Sequence, residues 1–531
     1  MEEEKKDNNS IDELDLQNVP ELFDVRFSHR SGSYAGILRN IGKDYIVLEL
    51  PAQDVQWQQT EQLKVLEVFF NRNLVYRGPA SIKDWELSED GSRCSMNIFW
   101  EAVDGFKISL PELYKAIRDE LEARTVVLEG QVDLPQLARA EKIPARKSYE
   151  EADIKERLDW ICSRTGVSGE ALGSHSMDPL LLRGNIENMI GAVQVPVGLA
   201  GPLLINGHHA KGYFFVPIAT SEGALLASIA RGAYVFSLCG GINVSVLRQQ
   251  MVRAPQFNFS STGGALRFKN WIVKNFRKVK EEAERFSRRA KLVFLDTYVL
   301  GKAVHVRFCY RTGDAAGQNM CTICTWGASK YVAAQLQKDP TIGFENYVLE
   351  GNFAGDKKVN MFNFIHGRGI SIVADAFVSK RVMKRFLRIT PENMVKAMTQ
   401  SLHGATATGQ IGNTANFANV IAGIFTACGQ DIACVHESSS GQLFFEATDE
   451  GFYMGCRIPN IVIGTVGGGT ALPAQKECLK ILGCYGSGKV GRLAEIIGAC
   501  CLALDLSTCA ALVEDTFAQA HDSLGRNRPT S

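Results

Sequence analysis

The segment Gly351-Asn352-Phe353-Ala354-Gly355-Asp356-Lys357-Lys358 decides how the rest of the chain is interpreted. Two glycines flank a turn-forming asparagine, and glycine permits positive φ and close backbone approach, so the segment predicts a tight loop that presents charge. A lysine held by such a loop beside carboxylates can stabilise a developing oxyanion. The alternative is a solvated turn, because most runs of charged residues lie in water.

Composition is typical of an ordinary globular protein. The 531 residues are 45% hydrophobic and 22% charged, which predicts two or three domains with a sizeable core. Lys+Arg and Asp+Glu both number 58, so no overall charge favours nucleic acid or an anionic membrane as a partner. The 14 cysteines, with no apolar signal segment at the start, predict reduced thiols and a cytoplasmic location.

The longest uncharged run, residues 404–430, predicts a buried helix rather than a membrane span. It contains Asn413, Asn416 and Asn419 among several Gly and Thr residues, and this makes it too polar for the hydrocarbon of a bilayer. We therefore expect no membrane partner.

The first part of the chain predicts a disordered tail at residues 1–21 and a small β-barrel or sandwich at residues 22–110. Arg26-x-x-x-Arg30 followed by Gly36–Asn40 resembles the start of a PilZ domain, a family of cyclic di-GMP receptors. The second element of the PilZ pattern is not intact here. A structural or interaction module is therefore the alternative to cyclic di-GMP binding.

A helical connector is predicted at residues 111–149, and a larger unit opens near residue 150. Within that unit, helices and strands alternate over residues 256–349, which predicts a small inserted α/β-sandwich. Its basic helix, Lys269 to Lys291, is interpreted as a solvated face, with contact to a phosphate as the alternative.

Four charged residues in glycine-rich or apolar surroundings, or in the tail, are the candidates for chemistry: Glu222, Lys357, Asp431 and His521. A carboxyl with a raised pKa, a buried lysine and a mobile histidine together suit carbonyl reduction. The lysine would stabilise the alkoxide, the carboxyl would supply a proton, and the histidine would protonate a leaving thiolate. Taken singly, each residue has an ordinary structural explanation, and spacing alone does not bring them together.

Seven segments resemble the family of 3-hydroxy-3-methylglutaryl-CoA (HMG-CoA) reductases, in the right order and spacing, over residues 150–526. They are Glu187–Gly191, Pro196–Pro202, Thr220–Gly223, Gly313–Asn319, Gly351–Lys358, Gly429–Asp431 and Gly464–Thr470.

This resemblance implies an α+β fold built around a long central helix, which we assign to the buried run 404–430. The large substrate-binding domain would comprise residues 150–255 and 350–515, with a ferredoxin-like NADP-binding domain inserted at 256–349. The small β domain would precede it, and residues 516–531 would form a mobile tail.

The resemblance also implies the reaction, in which two hydride transfers from NADPH convert HMG-CoA to mevalonate and CoA. Lys357 would stabilise the oxyanion, and Glu222 would donate the proton for aldehyde reduction. Asp431 would tune both pKa values, and His521 would protonate the CoA thiolate. Implied substrate contacts are Arg253, Asn352, Asp356, Lys358 and Asn419, and implied cofactor contacts are Arg311, Asp314, Ala315, Gly317, Gln318 and Asn319.

The same resemblance implies a homodimer or larger assembly with active sites between subunits. Gly467–Thr470 favours NADPH over NADH. Departures from the family pattern are Ala316 for a Met in the cofactor loop, Ala354 for a Cys, and Val359 for a Pro. The phosphorylated serine of some members is missing from the tail, so we expect no such switch, and no membrane anchor is expected either.

Two motifs imitate other sites. Gly483-x-x-x-x-Gly488-Lys489 looks like a phosphate-binding loop, but Val490 follows where Ser or Thr would hold Mg²⁺. Cys321-x-x-Cys324 has no second ligand pair at zinc spacing, so no metal is expected.

Two alternative functions stay open. One is a non-catalytic scaffold that binds CoA esters or a signalling ligand through a reductase-like fold. The other is a reductase that acts on a different acyl-CoA. Retention of all four catalytic candidates favours the enzyme over the scaffold, and Arg253 with Lys358 favours a substrate derived from a dicarboxylate.

Overall fold

The computed structural model describes residues 13–15, 23–29, 32–42, 45–51, 62–70, 73–88, 93–100 and 142–525. They divide into two compact units, with the boundary between Lys142 and Ile143. Outside the described residues lie most of the predicted N-terminal tail, residues 111–141 of the predicted connector, and the last six residues, 526–531. Residues 142–149 of the predicted helical connector are described and form no helix.

The first unit is an all-antiparallel, barrel-like sheet. Its strands are β1 (Glu13–Asp15), β2 (Phe23–His29), β3 (Gly32–Gly42), β4 (Tyr45–Pro51), β5 (Gln62–Phe70), β6 (Asn73–Leu87) and β7 (Arg93–Trp100). The hydrogen-bonded order is β3-β2-β5-β6-β7-β4, and β4 pairs back onto β3. The small β domain expected for this region is therefore present.

Alternation of side chains along each strand builds the interior of this unit. In β7, for example, Cys94, Met96 and Ile98 are fully buried, whereas the residues between them face outward. The prediction of disorder is wrong for residues 13–15, because β1 pairs with β3. A charged composition does not prevent main-chain hydrogen bonds at a strand edge.

The second unit combines strands and helices, so the α+β class is confirmed. Its strands are β8 (Val197–Gly207), β9 (Lys211–Ala219), β10 (Ile242–Arg253), β11 (Gln256–Phe259), β12 (Lys291–Leu300), β13 (Ala303–Arg311), β14 (Phe344–Val348), β15 (Gly369–Ser379), β16 (Gln442–Ala447) and β17 (Gly451–Ile461). Its helices are α1 (Glu151–Thr165), α2 (Glu170–Gly173), α3 (Leu225–Leu238), α4 (Thr262–Lys274), α5 (Phe276–Glu284), α6 (Gln318–Leu336), α7 (Met361–His366), α8 (Lys380–Val382), α9 (Pro391–Ala407), α10 (Phe417–Ala427), α11 (Val435–Ser438), α12 (Pro473–Ile481), α13 (Val490–Val513) and α14 (Phe517–Leu524).

One continuous sheet runs through this unit in the order β14-β11-β13-β10-β15-β17-β16, with β12 beside β13 and the β8–β9 hairpin beside β10. Between residues 256 and 349, the element order is β11-α4-α5-β12-β13-α6-β14, and the strand order is β14-β11-β13-β12. This is the arrangement of a ferredoxin-like motif. The predicted basic helix is two helices, which meet at Asn275.

The central helix is α13, not the run 404–430. Of the residues in α13, those from Leu493 to Thr508 are all buried, and the helix packs on α3, α10 and β15. Gly232 of α3 permits this approach, because a Cβ there would lie 1.8 Å from the Ala503 carbonyl oxygen. By length and composition α13 could also cross a membrane, but 78% of its apolar window is buried inside the unit.

The run 404–430 is interrupted because Gly409 and Gly412 adopt positive φ between α9 and α10. The carboxylate of Asp505 on α13 accepts the N–H groups of Ala415 and Asn416, each at 2.8 Å. Of the polar residues that made this run unlike a membrane span, Asn413 and Asn416 therefore lie in a turn against the central helix, and Asn419 lies in α10.

Candidate active site

The loop 351–358 lies between β14 and α7. Asn352, Gly355 and Lys357 all have positive φ, as expected of a tight loop. Phe353 anchors the loop on the inserted segment, because its ring lies 4.7 Å from that of Tyr298 and 4.9 Å from that of His305. Lys358 Nζ donates to the Asp356 carbonyl at 3.0 Å. Charged side chains are thus presented from a backbone that is fixed on one side.

Lys357 and Asp431 form an ion pair, with Nζ 2.9 Å from Oδ2. Gln318 Nε2 donates to the same Oδ2 at 3.0 Å. The other carboxylate oxygen of Asp431 accepts the Ala433 N–H at 3.1 Å and so caps the 3₁₀-helix Ile432–Cys434. The carboxylate is therefore held by three donors, and the lysine points at a fixed partner.

Each member of this pair keeps the other charged. The hydrogen bond from Lys357 to Asp431 raises the pKa of the lysine above its usual value. Burial alone would raise the pKa of Asp431, but the bonds from Lys357 and Gln318 outweigh it and leave that pKa below its usual value. The expectation of a buried lysine is wrong for the single chain, in which 41% of the Lys357 side chain is exposed.

Asp356 is held by two arginines. Arg253 Nη1 lies 3.1 Å from Oδ2, and Arg368 Nη2 lies 2.6 Å from Oδ1. Arg253 also donates to Thr322 Oγ1 at 2.7 Å, and Arg368 makes a second ion pair with Glu437. Arg368 and Glu437 were missed from the sequence. Gly367 and Gly369 flank Arg368, but nothing in the sequence around either residue distinguishes a buried ion pair from a surface one.

The predicted cofactor loop joins three elements. Asp314 Oδ1 accepts the N–H groups of Lys489 (3.0 Å) and Val490 (3.2 Å), and its carbonyl accepts the Thr465 N–H at 2.8 Å. The loop then turns at Gly317, whose φ is +81°, where a Cβ would lie 2.3 Å from the Thr312 side chain. The segment 483–489, which imitates a phosphate-binding loop, leads into α13, and Asp314 thus caps the start of that helix.

Most of the candidate residues line one of two cavities. One cavity has a volume of about 600 Å³ and the other a volume of about 970 Å³. The larger is lined by Lys357, Asp431, Asp356, Arg253 and the cofactor-loop residues Ala315, Ala316, Gly317, Gln318 and Asn319, and also by Gly464 and Val466–Thr470. Arg311, Asn352 and Lys358 are exposed. Asp314 is only partly buried, and these four residues do not line either cavity.

The smaller cavity is lined by Glu222, Asn419 and His521. Asn419 Nδ2 donates to Glu222 Oε2 at 3.0 Å. His521 Nδ1 donates to the Phe517 carbonyl at 2.9 Å, so Nε2 is the ring nitrogen that can serve in proton transfer. His521 lies on helix α14, where the sequence predicted a mobile tail. Gly223 contacts that helix, since a Cβ there would lie 2.3 Å from the Leu524 carbonyl oxygen.

Within one chain, therefore, the four catalytic candidates form two pairs rather than one cluster. Lys357 and Asp431 share the larger cavity, and Glu222 and His521 share the smaller one.

Cys321 and Cys324 are both buried in α6. In the described part of the chain, no group of three His, Cys, Asp or Glu side chains is placed to hold a metal ion.

Comparisons with known proteins agree on one family. A family model for hydroxymethylglutaryl-coenzyme A reductase matches residues 153–526. The 3-hydroxy-3-methylglutaryl-coenzyme A reductase of Methanocaldococcus jannaschii is 40% identical over 373 residues, covering 70% of this chain and 92% of that protein. The corresponding enzyme of Methanothermobacter thermautotrophicus is 40% identical over 403 residues, covering 75% of this chain and 98% of that protein.

A solved structure shares the fold. It is the class II 3-hydroxy-3-methylglutaryl-CoA reductase from Streptococcus pneumoniae bound to NADPH in open conformations, with a TM-score of 0.51 and 18% identity over 68% of this chain and 97% of that chain. The matched residues 153–526 carry all the candidate catalytic residues, and the first unit lies outside the match. The chain belongs to the hydroxymethylglutaryl-coenzyme A reductase family.

Proposed function

We propose that this protein reduces HMG-CoA to mevalonate and CoA by two successive hydride transfers from NADPH. The observation that carries this proposal is the Lys357–Asp431 ion pair in the wall of the larger cavity, beside the cofactor loop. A cation that stays protonated and points into a cavity can stabilise the oxyanion formed when hydride reaches a carbonyl carbon.

The same cavity fits a dinucleotide. Two glycine-containing segments, Ala315–Asn319 and Gly464–Thr470, line it. Gly467 and Gly468 have positive φ, and a Cβ at either would meet open space. NADPH supplies the hydride when bound there. We assign residues 256–349 as the NADP-binding domain and residues 150–255 with 350–515 as the substrate-binding domain.

The proposed roles follow the chemistry of each group. Lys357 stabilises the oxyanion of the hemithioacetal and aldehyde stages, and Asp431 keeps it cationic. His521 protonates the departing CoA thiolate through Nε2, and Glu222 supplies the proton for aldehyde reduction, oriented by Asn419. Arg253, Asp356, Asn352 and Lys358 bind the carboxylate and hydroxyl of the substrate.

We further propose that the working enzyme is a homodimer whose active site combines the two cavities from different subunits. Two features support this. The catalytic candidates are divided between two cavities in one chain. An exposed apolar face on β8 and β9 would be covered by a second copy: Val197, Leu199, Tyr213 and Phe215 are each at least half exposed.

The role of the first unit stays a prediction. Cyclic di-GMP binding rests on the PilZ resemblance, and one of its two arginines, Arg30, lies outside the described residues. We expect the enzyme to work in the cytoplasm, without nucleic acid as a partner.

The experiment that tests the function is NADPH oxidation by the purified protein when HMG-CoA is added, with NADH and acetyl-CoA as parallel substitutes. We expect turnover with NADPH and HMG-CoA, much less with NADH, and none in Lys357→Ala. Turnover with acetyl-CoA in place of HMG-CoA would favour a different acyl-CoA reductase. Absence of turnover in a folded protein that still binds CoA would favour the scaffold.

A further inference from the structure

The backbone of Lys357 is held on both sides by two consecutive residues of the short helix α11 (Val435–Ser438). Glu437 Oε1 accepts the Lys357 N–H at 3.1 Å. The His436 ring lies with Nδ1 3.2 Å from the Lys357 carbonyl oxygen, and because a carbonyl only accepts, Nδ1 carries the hydrogen. Neither His436 nor Glu437 lines the cavity into which Lys357 faces.

These two contacts hold a backbone conformation that a lysine rarely adopts. Lys357 has a φ of +57°, in the left-handed region where Cβ crowds the following carbonyl. Lys358 N–H bonds the Gly355 carbonyl at 3.1 Å, so the turn closes tightly around the strained residue. Without the contacts from His436 and Glu437, we expect the backbone to relax to a negative φ and turn the Lys357 side chain away from Asp431.

The Glu437 side chain, which accepts the Lys357 N–H, is itself fixed in place. Glu437 is paired with Arg368, and both side chains are fully buried. Arg368 continues the network to Asp356 Oδ1 at 2.6 Å, next to Lys357 in the chain. Asp431, which binds the Lys357 ammonium, lies six residues before Glu437. The segment 431–437 therefore contacts Lys357 at three places: the ammonium, the N–H and the carbonyl.

We propose that His436 and Glu437 are positioning residues for the reaction: they fix the Lys357 backbone so that its ammonium meets the developing oxyanion. This inference rests on the proposed function. It assigns a role in the chemistry to an exposed histidine and to a buried glutamate that no candidate motif contains. Displacement of a catalytic group by about 1 Å can lower a rate about 100-fold, so even a modest loosening is measurable.

His436 offers the sharper test because it is exposed, and its loss should leave the fold intact. We expect His436→Ala to lower kcat about 10-fold while KM for NADPH and the melting temperature stay unchanged. His436→Asn places an amide N–H near the position of Nδ1 and should restore most of kcat. His436→Gln, whose amide lies farther from the backbone, should not restore it.

Glu437→Gln tests the ion pair that fixes the second contact, since an amide oxygen can still accept the Lys357 N–H but is no longer held by a charge on Arg368. Glu495→Gln is the matched control. Glu495 is also fully buried and accepts two backbone N–H groups, those of His209 at 2.8 Å and Ala210 at 2.6 Å, but it lines neither cavity. We expect both variants to lose thermal stability and only Glu437→Gln to lose kcat.

The outcomes separate this inference from the proposed function. A wild-type protein without turnover contradicts the function itself. Wild-type turnover with kcat unchanged in His436→Ala, or equally lowered in His436→Ala and His436→Asn, overturns the positioning role. If Glu437→Gln does not fold, the three His436 variants decide the question alone.

Discussion

The charge on Lys357 depends mainly on one neighbour, Asp431. Its ammonium is hydrogen-bonded to Asp431, which raises the pKa of the lysine. A lysine that deprotonates can no longer stabilise an oxyanion, so activity is lost where this lysine loses its proton.

We therefore predict that Asp431→Asn moves the alkaline limb of the kcat profile to lower pH. Loss of the carboxylate charge removes the ion pair that favours the ammonium form, and the pKa of Lys357 falls toward its usual value. The measurement is kcat against pH for both proteins, with residual activity read at high enzyme concentration. An alkaline limb that stays in place would show that another group titrates there.

A second prediction at this scale concerns Asp314, which was identified as a cofactor residue but caps α13 through the Lys489 and Val490 N–H groups. Loss of a capping carboxylate typically costs about 1 kcal/mol. We expect Asp314→Ala to lower the free energy of unfolding by about that amount and Asp314→Asn by less, because an amide oxygen can still accept. Urea denaturation of both variants measures this, and equal stability of Asp314→Ala and the wild type would contradict it.

At the scale of elements, helix α13 carries a carboxyl in its interior. Complete burial raises the pKa of Asp505 from 3.8 to about 7, although the N–H groups of Ala415 and Asn416 oppose the shift. The folded state therefore binds the proton more tightly than the unfolded chain does. This protonation stabilises the fold below the folded pKa, and the stabilisation is lost as the pH rises through about 7.

We accordingly predict a steeper loss of stability between about pH 4 and about pH 7 in the wild type than in Asp505→Asn, which cannot titrate. The urea midpoint at the two pH values measures the effect. The asparagine variant should be less stable at both, because only one of its two side-chain polar atoms can accept an N–H group. Identical pH slopes in the two proteins would contradict the assignment.

Some of the helices and strands could be predicted from the sequence, and others could not. Alternation of helix and strand identified the segment 256–349, and alternating strands identified the small β domain. The central helix was assigned wrongly, since an uncharged run indicates burial but not helix continuity, and Gly409 and Gly412 break it. Arg368 and Glu437 could not be found, because Arg368 directly precedes β15 and Glu437 lies on α11, 69 residues further along the chain.

At the scale of the whole molecule, the division of catalytic residues between two cavities leads to a complementation prediction. Glu222→Gln and Lys357→Ala should each be inactive alone. If each active site combines Glu222 of one subunit with Lys357 of the other, a dimer of one Glu222→Gln chain and one Lys357→Ala chain contains two sites. One of these sites has both residues intact. Random mixing makes half of the dimers mixed, so co-expression should recover about a quarter of wild-type activity.

The control is co-expression of Lys357→Ala with Asp431→Ala. Both residues line the same cavity, so no mixed dimer contains an intact site, and no activity should return. Recovery in this control would mean that the two residues come from different subunits. Failure of the first pair to recover activity would place the whole site within one chain.

The most direct measurement is the amount of NADPH oxidised for each CoA thiol released from HMG-CoA. Two hydride transfers predict two NADPH oxidised for each thiol, and both signals should disappear in Lys357→Ala, since the same cation serves both reductions. Thiol release without NADPH oxidation would mean hydrolysis rather than reduction. Neither signal, from a folded protein, would contradict the assignment of a reductase activity.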